Sequence, residues 1–260
     1  MHPEASKLET ATLAGIPLVN SSPRDAALEV CRLVSSQRGP AGSSFHLVNA
    51  YTLALASDDP GYADMLRTST ANFPDGKPLT WWKIADGRRL QQIRGPRLFE
   101  DVMDLGRVNG VRHYLLGSAN ETLDLLEKNL RQRYPGVQIV GKYSPPFREM
   151  SNQEVRDQDR RIQASGAEIV WVGLGTPKQD WEVTRLAKSL PVLSIAVGAA
   201  FDFSAGTKRT APHWMAQLSL EWLYRLLSEP RRLWRRYLVG NAVFLLFVIK
   251  NRTNRSSVSK

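Results

Sequence analysis

Apolar residues fall in two recurring patterns along this chain. Short, mostly apolar runs occur at Ser44–Val48, His113–Gly117, Val137–Val140, Ile169–Val172 and Val192–Val197, with β-branched character marked in Ile169–Val172. Their length and continuity predict strands buried on both faces. Between them, apolar positions recur at helical spacing: Ala26, Ala27, Val30 and Val34 within Asp25–Ser36, then Leu123, Leu126, Leu130 and Tyr134. Each set predicts one apolar helix face. Tyr51–Ala56 and Tyr62–Ser69 read as shorter helices, Leu13–Val19 as an early strand, Gln37–Ser43 as a loop and Asn72–Gly76 as a turn. Ser118 with Glu121, and Ser151 with Glu154, have capping-box spacing, and Gly166 closes the second of these helices.

Strands alternating with helices from Ser44 to about Asp202 predict an α/β domain with a parallel sheet. Ligands of such sheets sit at the carboxyl ends of the strands. Asn49, Asp75, Gly117, Lys178, Gln179 and Asp202 all fall at or just after predicted strand ends. The stretch Glu168–Gln179 is the richest of these. Its apolar run leads into Gly173 and Gly175, which let the backbone turn tightly and approach a ligand. Thr176 is the predicted N-cap and Pro177 the first helical residue. The free N–H groups of that helix would form an anion site, with Lys178 adding a charge and Gln179 an amide. An ordinary strand-to-helix connection has the same glycine spacing, so this motif alone leaves both readings open.

Past Pro212 the pattern changes. Met215, Leu218, Trp222 and Leu226 form one seam and Leu220, Leu223 and Leu227 a second, more apolar surface than one packing face needs. Pro230 restarts the helix, with Arg231, Arg232, Arg235 and Arg236 around Trp234 and Tyr237, followed by the apolar run Leu238–Ile249. That run is far short of the ~20 residues of a spanning helix. Arginines, amphipathic aromatics and a short apolar segment together describe an element lying on a membrane surface. The expected division is therefore an α/β domain over residues 1–206 and a basic, amphipathic appendage over 207–260.

Charge sharpens this division. The net charge is +10, and residues 207–260 hold eleven Lys/Arg against two Glu, leaving only +1 for residues 1–206. Such asymmetry asks for a polyanionic partner. An anionic membrane surface fits better than nucleic acid, because the arginines are interleaved with apolar residues. The single cysteine, Cys31, excludes an internal disulfide framework, suits a reducing compartment and reads as a core residue. No apolar run opens the chain, so no signal peptide is expected.

An ordered set of short motifs resembles one family. It comprises Asn49-Ala50, Pro74-Asp75-Gly76, Tyr114-Leu-Leu-Gly117, Tyr134-Pro-Gly136 with Ile139-Val-Gly141, and Gly173-Leu-Gly-Thr-Pro-Lys-Gln179. It continues with Gly198-Ala-Ala-Phe-Asp-Phe-Ser-Ala-Gly206, Arg209-Thr-Ala-Pro212, Glu221-Trp-Leu-Tyr-Arg225 and Glu229-Pro230 with its arginines. The set resembles the WecG/TagA/CpsF glycosyltransferases, glycosyltransferase family 26. The resemblance implies a Rossmann-like domain followed by a helical appendage that docks on the membrane. It implies inverting transfer of a sugar, of N-acetylmannosamine or glucose type, from a UDP-sugar to a polyprenyl-diphosphate-linked sugar. It implies no metal and no other cofactor, and a place on the inner face of the plasma membrane. The products would feed teichoic acids, capsules or other surface polysaccharides.

Roles carry over position by position under that resemblance. Asp75 matches the catalytic base, Asn49 an asparagine near the donor, Gln179 a glutamine near the diphosphate, and Asp202 the Gly-x-x-Phe-Asp turn. Arg225, Arg232 and Arg235 match appendage arginines that complete the site over the leaving diphosphate. Gly117, Gly173, Gly175 and Lys178 join the substrate-binding set through their strand-end placement. Two positions depart from the family pattern. Leu47 stands where a threonine is frequent, so no hydroxyl role falls there. Gln92-Ile-Arg-Gly-Pro-Arg97 replaces Arg-Val-x-Gly-x-Asp, with Arg94 and Arg97 as candidate substitutes.

Plainer readings stand beside these. A Pro-Asp-Gly turn most often holds an aspartate that bonds its own backbone. Arg225 can pair with Glu221 one turn earlier, and Arg232, Arg235 and Arg236 can serve as lipid contacts. Asp157-Gln-Asp159 looks like a metal motif, but residues two apart on a helix point about 200° apart, so it reads as a solvated face. The four histidines show no ligand spacing, so no metal site is expected. Two other classes remain: a UDP-binding, membrane-docked scaffold without catalysis, and a nicotinamide-dependent sugar-nucleotide enzyme, which the missing third glycine disfavours. A homo-oligomer is compatible with all of them.

Overall fold

The computed structural model describes residues 8–36, 42–82, 87–209, 211–212, 215, 221–234, 240 and 242–246, excepting the side chains at 221, 222, 225, 232 and 233. A hairpin of β1 (Thr10–Leu13) and β2 (Ile16–Val19) opens the fold, followed by α1 (Pro23–Ser36). Next come β3 (Ser43–Val48), α2 (Ala50–Asp58), α3 (Pro60–Thr68), β4 (Ala71–Pro74) and α4 (Gly95–Leu105). Then β5 (Arg112–Gly117), α5 (Asn120–Arg133), β6 (Gln138–Tyr143), α6 (Asn152–Ala164), β7 (Ile169–Gly173), α7 (Lys178–Ser189), β8 (Leu193–Ala196) and α8 (Ala200–Ala205) alternate.

Strands β3 to β8 form one parallel sheet in the order β4-β3-β8-β7-β5-β6. Both faces are covered, as the continuous apolar runs require. Strand β3 shows why. Phe45 and Leu47 point into a core shared with α1, α4, α5 and α8, whereas Val48 joins α2, α3 and the hairpin. On that second face His46 meets Asp180 of α7. The chain leaves β3 for α2 on one face and leaves the adjacent β8 for α8 on the other. That divergence opens a crevice at the carboxyl edge, the topological switch point of a doubly wound sheet.

A cluster of buried aromatic rings lies under β7. Trp171 is fully buried, with the Phe99 ring 4.9 Å away and edge-on, and Phe99 in turn meets Phe201 at 5.6 Å. The Trp171 indole N–H donates to His113 Nδ1 at 3.1 Å. Burial holds this imidazole neutral, pushing its pKa down to about 3. Burial also pushes the Cys31 thiol up to about 11, in keeping with its place in the core.

Several local expectations need correction. Leu13–Val19 is not one strand: Ala14 and Gly15 have φ of 52° and 79° and turn the chain between β1 and β2. The first half of Asn72–Gly76 is strand, because Ala71–Pro74 pairs with Phe45–Val48 along the sheet edge. Ser118 does not cap α5; its φ is 60°, and Ala119 takes the N-cap position without a side-chain bond. Thr176 does not cap α7 either. The Thr176–Pro177 peptide is cis, Pro177 takes the N-cap position, and the Thr176 hydroxyl accepts from the Gln179 side chain instead. Helix α4 was not foreseen, although Leu98, Phe99, Val102 and Met103 give it a buried face. The Ser151–Glu154 capping box forms, and Gly166 adopts a φ of 67° past the end of α6.

Beyond α8 come two short helices, Glu221–Ser228 and Pro230–Trp234, with further helical residues at 240 and 242–246. Among the seam residues, Met215 is buried, Leu223 and Leu226 are half-buried and Leu227 is exposed. Leu218, Leu220 and the side chain of Trp222 lie outside the described residues. The run Leu238–Ile249 divides. Phe244 is fully buried against Trp82, edge-on at 6.3 Å, while Leu245 and Leu246 are exposed. Among the described residues, no helix is long and apolar enough to cross a membrane.

His113 makes stability pH-dependent. The folded protein keeps it neutral to about pH 3, whereas an unfolded histidine protonates near about 6.5. Between those values the unfolded state binds more protons, so stability falls as pH drops through the window. Urea midpoints should show that slope, and His113→Gln, whose amide can still accept from Trp171, should flatten it. An equal slope in the variant would rule out His113 as its source.

Candidate active site

A cleft of about 1120 Å³ opens at the carboxyl edge of the sheet, roomy enough for a ligand of nucleotide-sugar size. Asn49, Asp75, Gly173, Gly175, Lys178, Gln179 and Asp202 all line it, and Trp234, Gly240 and Val243 from the terminal segment complete its wall. Gly117 lies beside the cleft rather than on its lining. Its φ is 117°, and an added Cβ would fall 2.6 Å from the Gly173 carbonyl oxygen, so β5 and β7 end in a close approach that only glycine allows. The chain then presents Ser118 and Ala119 to the cleft.

Asp75 follows β4 and is held at three points. Its N–H donates to Val48 O at 2.8 Å, and its carbonyl accepts from Gln92 Nε2 at 2.6 Å. Its Oδ1 accepts the Gly95 N–H at 3.0 Å, the first residue of α4. Among the described residues, Oδ2 makes no hydrogen bond, and the half-buried carboxyl lines the cleft. One oxygen is thus fixed and the other is available to a ligand proton. The two departures from the family pattern become intelligible here. Gln92 braces the backbone of Asp75, and Leu47 packs closely on Gly95, where an added Cβ would meet its Cδ1 at 2.4 Å. Arg97 pairs with Asp101 on the outer surface of α4, and neither it nor Arg94 lines the cleft.

Asn49 is the N-cap of α2. Its Oδ1 accepts from the N–H groups of Tyr51 and Thr52 at 3.0 and 3.2 Å, which leaves the amide NH₂ for the cleft. Gln179 is also committed by its carbonyl. Buried on the first turn of α7, it accepts from Gly175 N at 3.0 Å and so pins the glycine turn, where Gly175 has a φ of 78°. The next residue, Asp180, is fully buried and bonds His46 at 3.3 Å and Tyr62 at 2.9 Å, which locks the helix start to β3 and α3. Lys178 is exposed on the lining and makes no ion pair among the described residues. Together with the positive end of α7, it makes this corner attractive to an anion.

Asp202 is not free. Its Oδ2 lies 3.0 Å from Lys208 Nζ, which also reaches Glu229 at 3.1 Å. Lys208, a cleft residue that no sequence motif marks, is long-range in its pairing and so had no local signal. The loop after β6 was likewise missed. Pro145, Pro146, Phe147 and Arg148 form a rim of the cleft, and the double proline was the available cue. Asp157 and Asp159 do turn apart: Asp157 takes Arg160 and Asp159 takes Arg185 of α7, each at 2.7 Å. The solvated-face reading fails for the residue between them, because Gln158 is buried and donates to Glu182 at 2.6 Å. Of the appendage arginines, Arg235 and the side chains of Arg225 and Arg232 lie outside the described residues.

The description "Glycosyl transferase WecG/TagA/CpsF family" matches residues 11–258. A Bacillus subtilis (strain 168) protein, N-acetylglucosaminyldiphosphoundecaprenol N-acetyl-beta-D-mannosaminyltransferase, is 28% identical over 255 residues, covering 96% of this chain and 95% of its own. A protein of the same name from Bacillus spizizenii is 30% identical over 185 residues, 70% of each chain.

The role of Gln179 can be checked by stability alone. Gln179→Leu removes the acceptor of the exposed Gly175 N–H and should cost ~0.5–1.5 kcal/mol in urea denaturation, the net worth of one hydrogen bond. An unchanged midpoint would show that the turn does not need this brace.

Proposed function

The chain belongs to the WecG/TagA/CpsF glycosyltransferase family, and from that premise we propose which sugars it joins and how. The donor is a UDP-sugar of N-acetylmannosamine type, and the acceptor is an N-acetylglucosamine linked through a diphosphate to a polyprenyl lipid. Both relatives are named for that pair of sugars and that lipid. The observation that carries the mechanism is the Asp75 carboxyl, with Oδ1 tied to the Gly95 N–H and Oδ2 open to the cleft.

In this reading Oδ2 of Asp75 takes the proton from the acceptor hydroxyl as its oxygen bonds to the anomeric carbon. The bond from that carbon to the diphosphate oxygen breaks, its electron pair leaves with UDP, and the configuration inverts. The growing negative charge falls at the corner made by Lys178 and the first turn of α7, with Arg225, Arg232 and Arg235 of the appendage closing over it. Charge of that kind replaces a metal. The Asn49 amide orients the donor.

The appendage meets the anionic membrane through its arginines and through apolar residues that face outward, including Leu227 at 71% exposure and Leu246 at 69%. The enzyme then works as a peripheral protein on the inner face of the membrane that holds its acceptor.

Asp75→Asn should keep UDP binding by calorimetry yet lose transfer by ~10²-fold or more, the scale of a positioned base. Turnover near the parent rate would sink this assignment. Transfer should also persist in excess EDTA. Loss restored by Mg²⁺ or Mn²⁺ would show that a metal, and not the cationic corner, supports the diphosphate.

A further inference from the structure

Lys208 joins the α/β body to the terminal helices. The turn that ends α8 aims it: Gly206 adopts a φ of 75°, and the N–H groups of Thr207 and Lys208 fold back onto Asp202 O at 3.0 and 3.2 Å. The Lys208 ammonium then lies 3.0 Å from Asp202 Oδ2 in the body and 3.1 Å from Glu229 Oε1, between the two short helices. The three side chains are 28%, 25% and 29% exposed, so the cluster is more sheltered than a surface ion pair.

The segment beyond Glu229 forms cleft wall. Trp234, Gly240 and Val243 line the same cavity, and Phe244 is buried in the body beyond them. That wall is therefore held at both ends, by the Lys208 cluster before it and by Phe244 after it. Lys178, the other lysine on the lining, makes no ion pair among the described residues. We propose that Lys208 is a positioning residue that latches the terminal helices over the cleft, leaving the anionic ligand to Lys178. Its kinetic consequence rests on the glycosyl-transfer reading; the latch itself does not.

Hydrogen exchange on the full-length, ligand-free protein tests the latch directly. In Lys208→Met, amides of Glu221–Trp234 and of residues 242–246 should exchange about fivefold faster, the factor of a well-formed, partly sheltered ion pair, with the sheet unchanged. Glu229→Gln should behave alike, and Lys208→Arg should restore protection. Unaltered exchange in both neutral variants overturns the proposal, whatever their activity. With a water-soluble acceptor, Lys208→Met should lower kcat and leave the donor KM within about twofold, whereas Lys178→Met should raise the donor KM. A raised donor KM with unchanged kcat in Lys208→Met would make Lys208 an anion ligand and refute the positioning role. Absence of any sugar transfer by the parent protein would defeat the functional reading alone, since the exchange result is independent of it.

Discussion

The hydrogen bond from the Gly95 N–H to Asp75 Oδ1 ties the end of β4 to the first turn of α4 across a sequence separation of 20. It needs α4 to start at a defined place, and that place is set by packing. Leu98, Phe99, Val102 and Met103 bury one face of the helix, and Phe99 stands edge-on to Trp171 in the middle of the sheet. Leu47 on β3, in the same core, packs against Gly95. The orientation of one carboxyl therefore rests on the main hydrophobic core, which is the usual way a rigid scaffold holds a catalytic group.

A second constraint shapes the opposite corner. The first turn of α7 carries two buried polar side chains, Gln179 and Asp180, whose partners lie on the glycine turn, β3 and α3. Buried polar groups at a helix start cost free energy unless every bond is made. Meeting that cost fixes the helix end and leaves Lys178 to face the cleft, the N–H groups of Gln179 and Asp180 being spent on Gly175 O and Pro177 O. The same side chain that sequence reasoning placed on the diphosphate, Gln179, thus has its carbonyl engaged in holding the turn that faces it.

Much of this was legible in the sequence because it is local. Short apolar runs marked five of the six sheet strands, and the alternation of strands and helices predicted a parallel sheet with its ligand at the carboxyl edge. Asn49, Asp75, Gly173, Lys178 and Asp202 were found because they follow strand ends. What escaped was set by tertiary contact. Ser118 and Thr176 have cap chemistry, yet the backbone at Ser118 and the side chain of Gln179 override it. β4 is short and ends in proline, so its edge pairing was hidden within a turn signal. Lys208 finds its partners six residues back and twenty-one ahead, spacings that no periodicity reports. Helix α4 and the Pro145-Pro146 loop are the omissions that their own patterns could have prevented.

The role given to Asp75 can be separated from its nearest chemical alternative by the product's stereochemistry. A carboxylate that acts as a base permits one in-line displacement and inversion. The same carboxylate acting as a nucleophile would form a glycosyl ester and, after a second displacement, give retention. The decisive measurement is the anomeric configuration of the product by NMR, starting from an α-linked UDP-sugar and a soluble lipid-diphosphate acceptor. A β-linked product is the result predicted here; an α-linked product would contradict it.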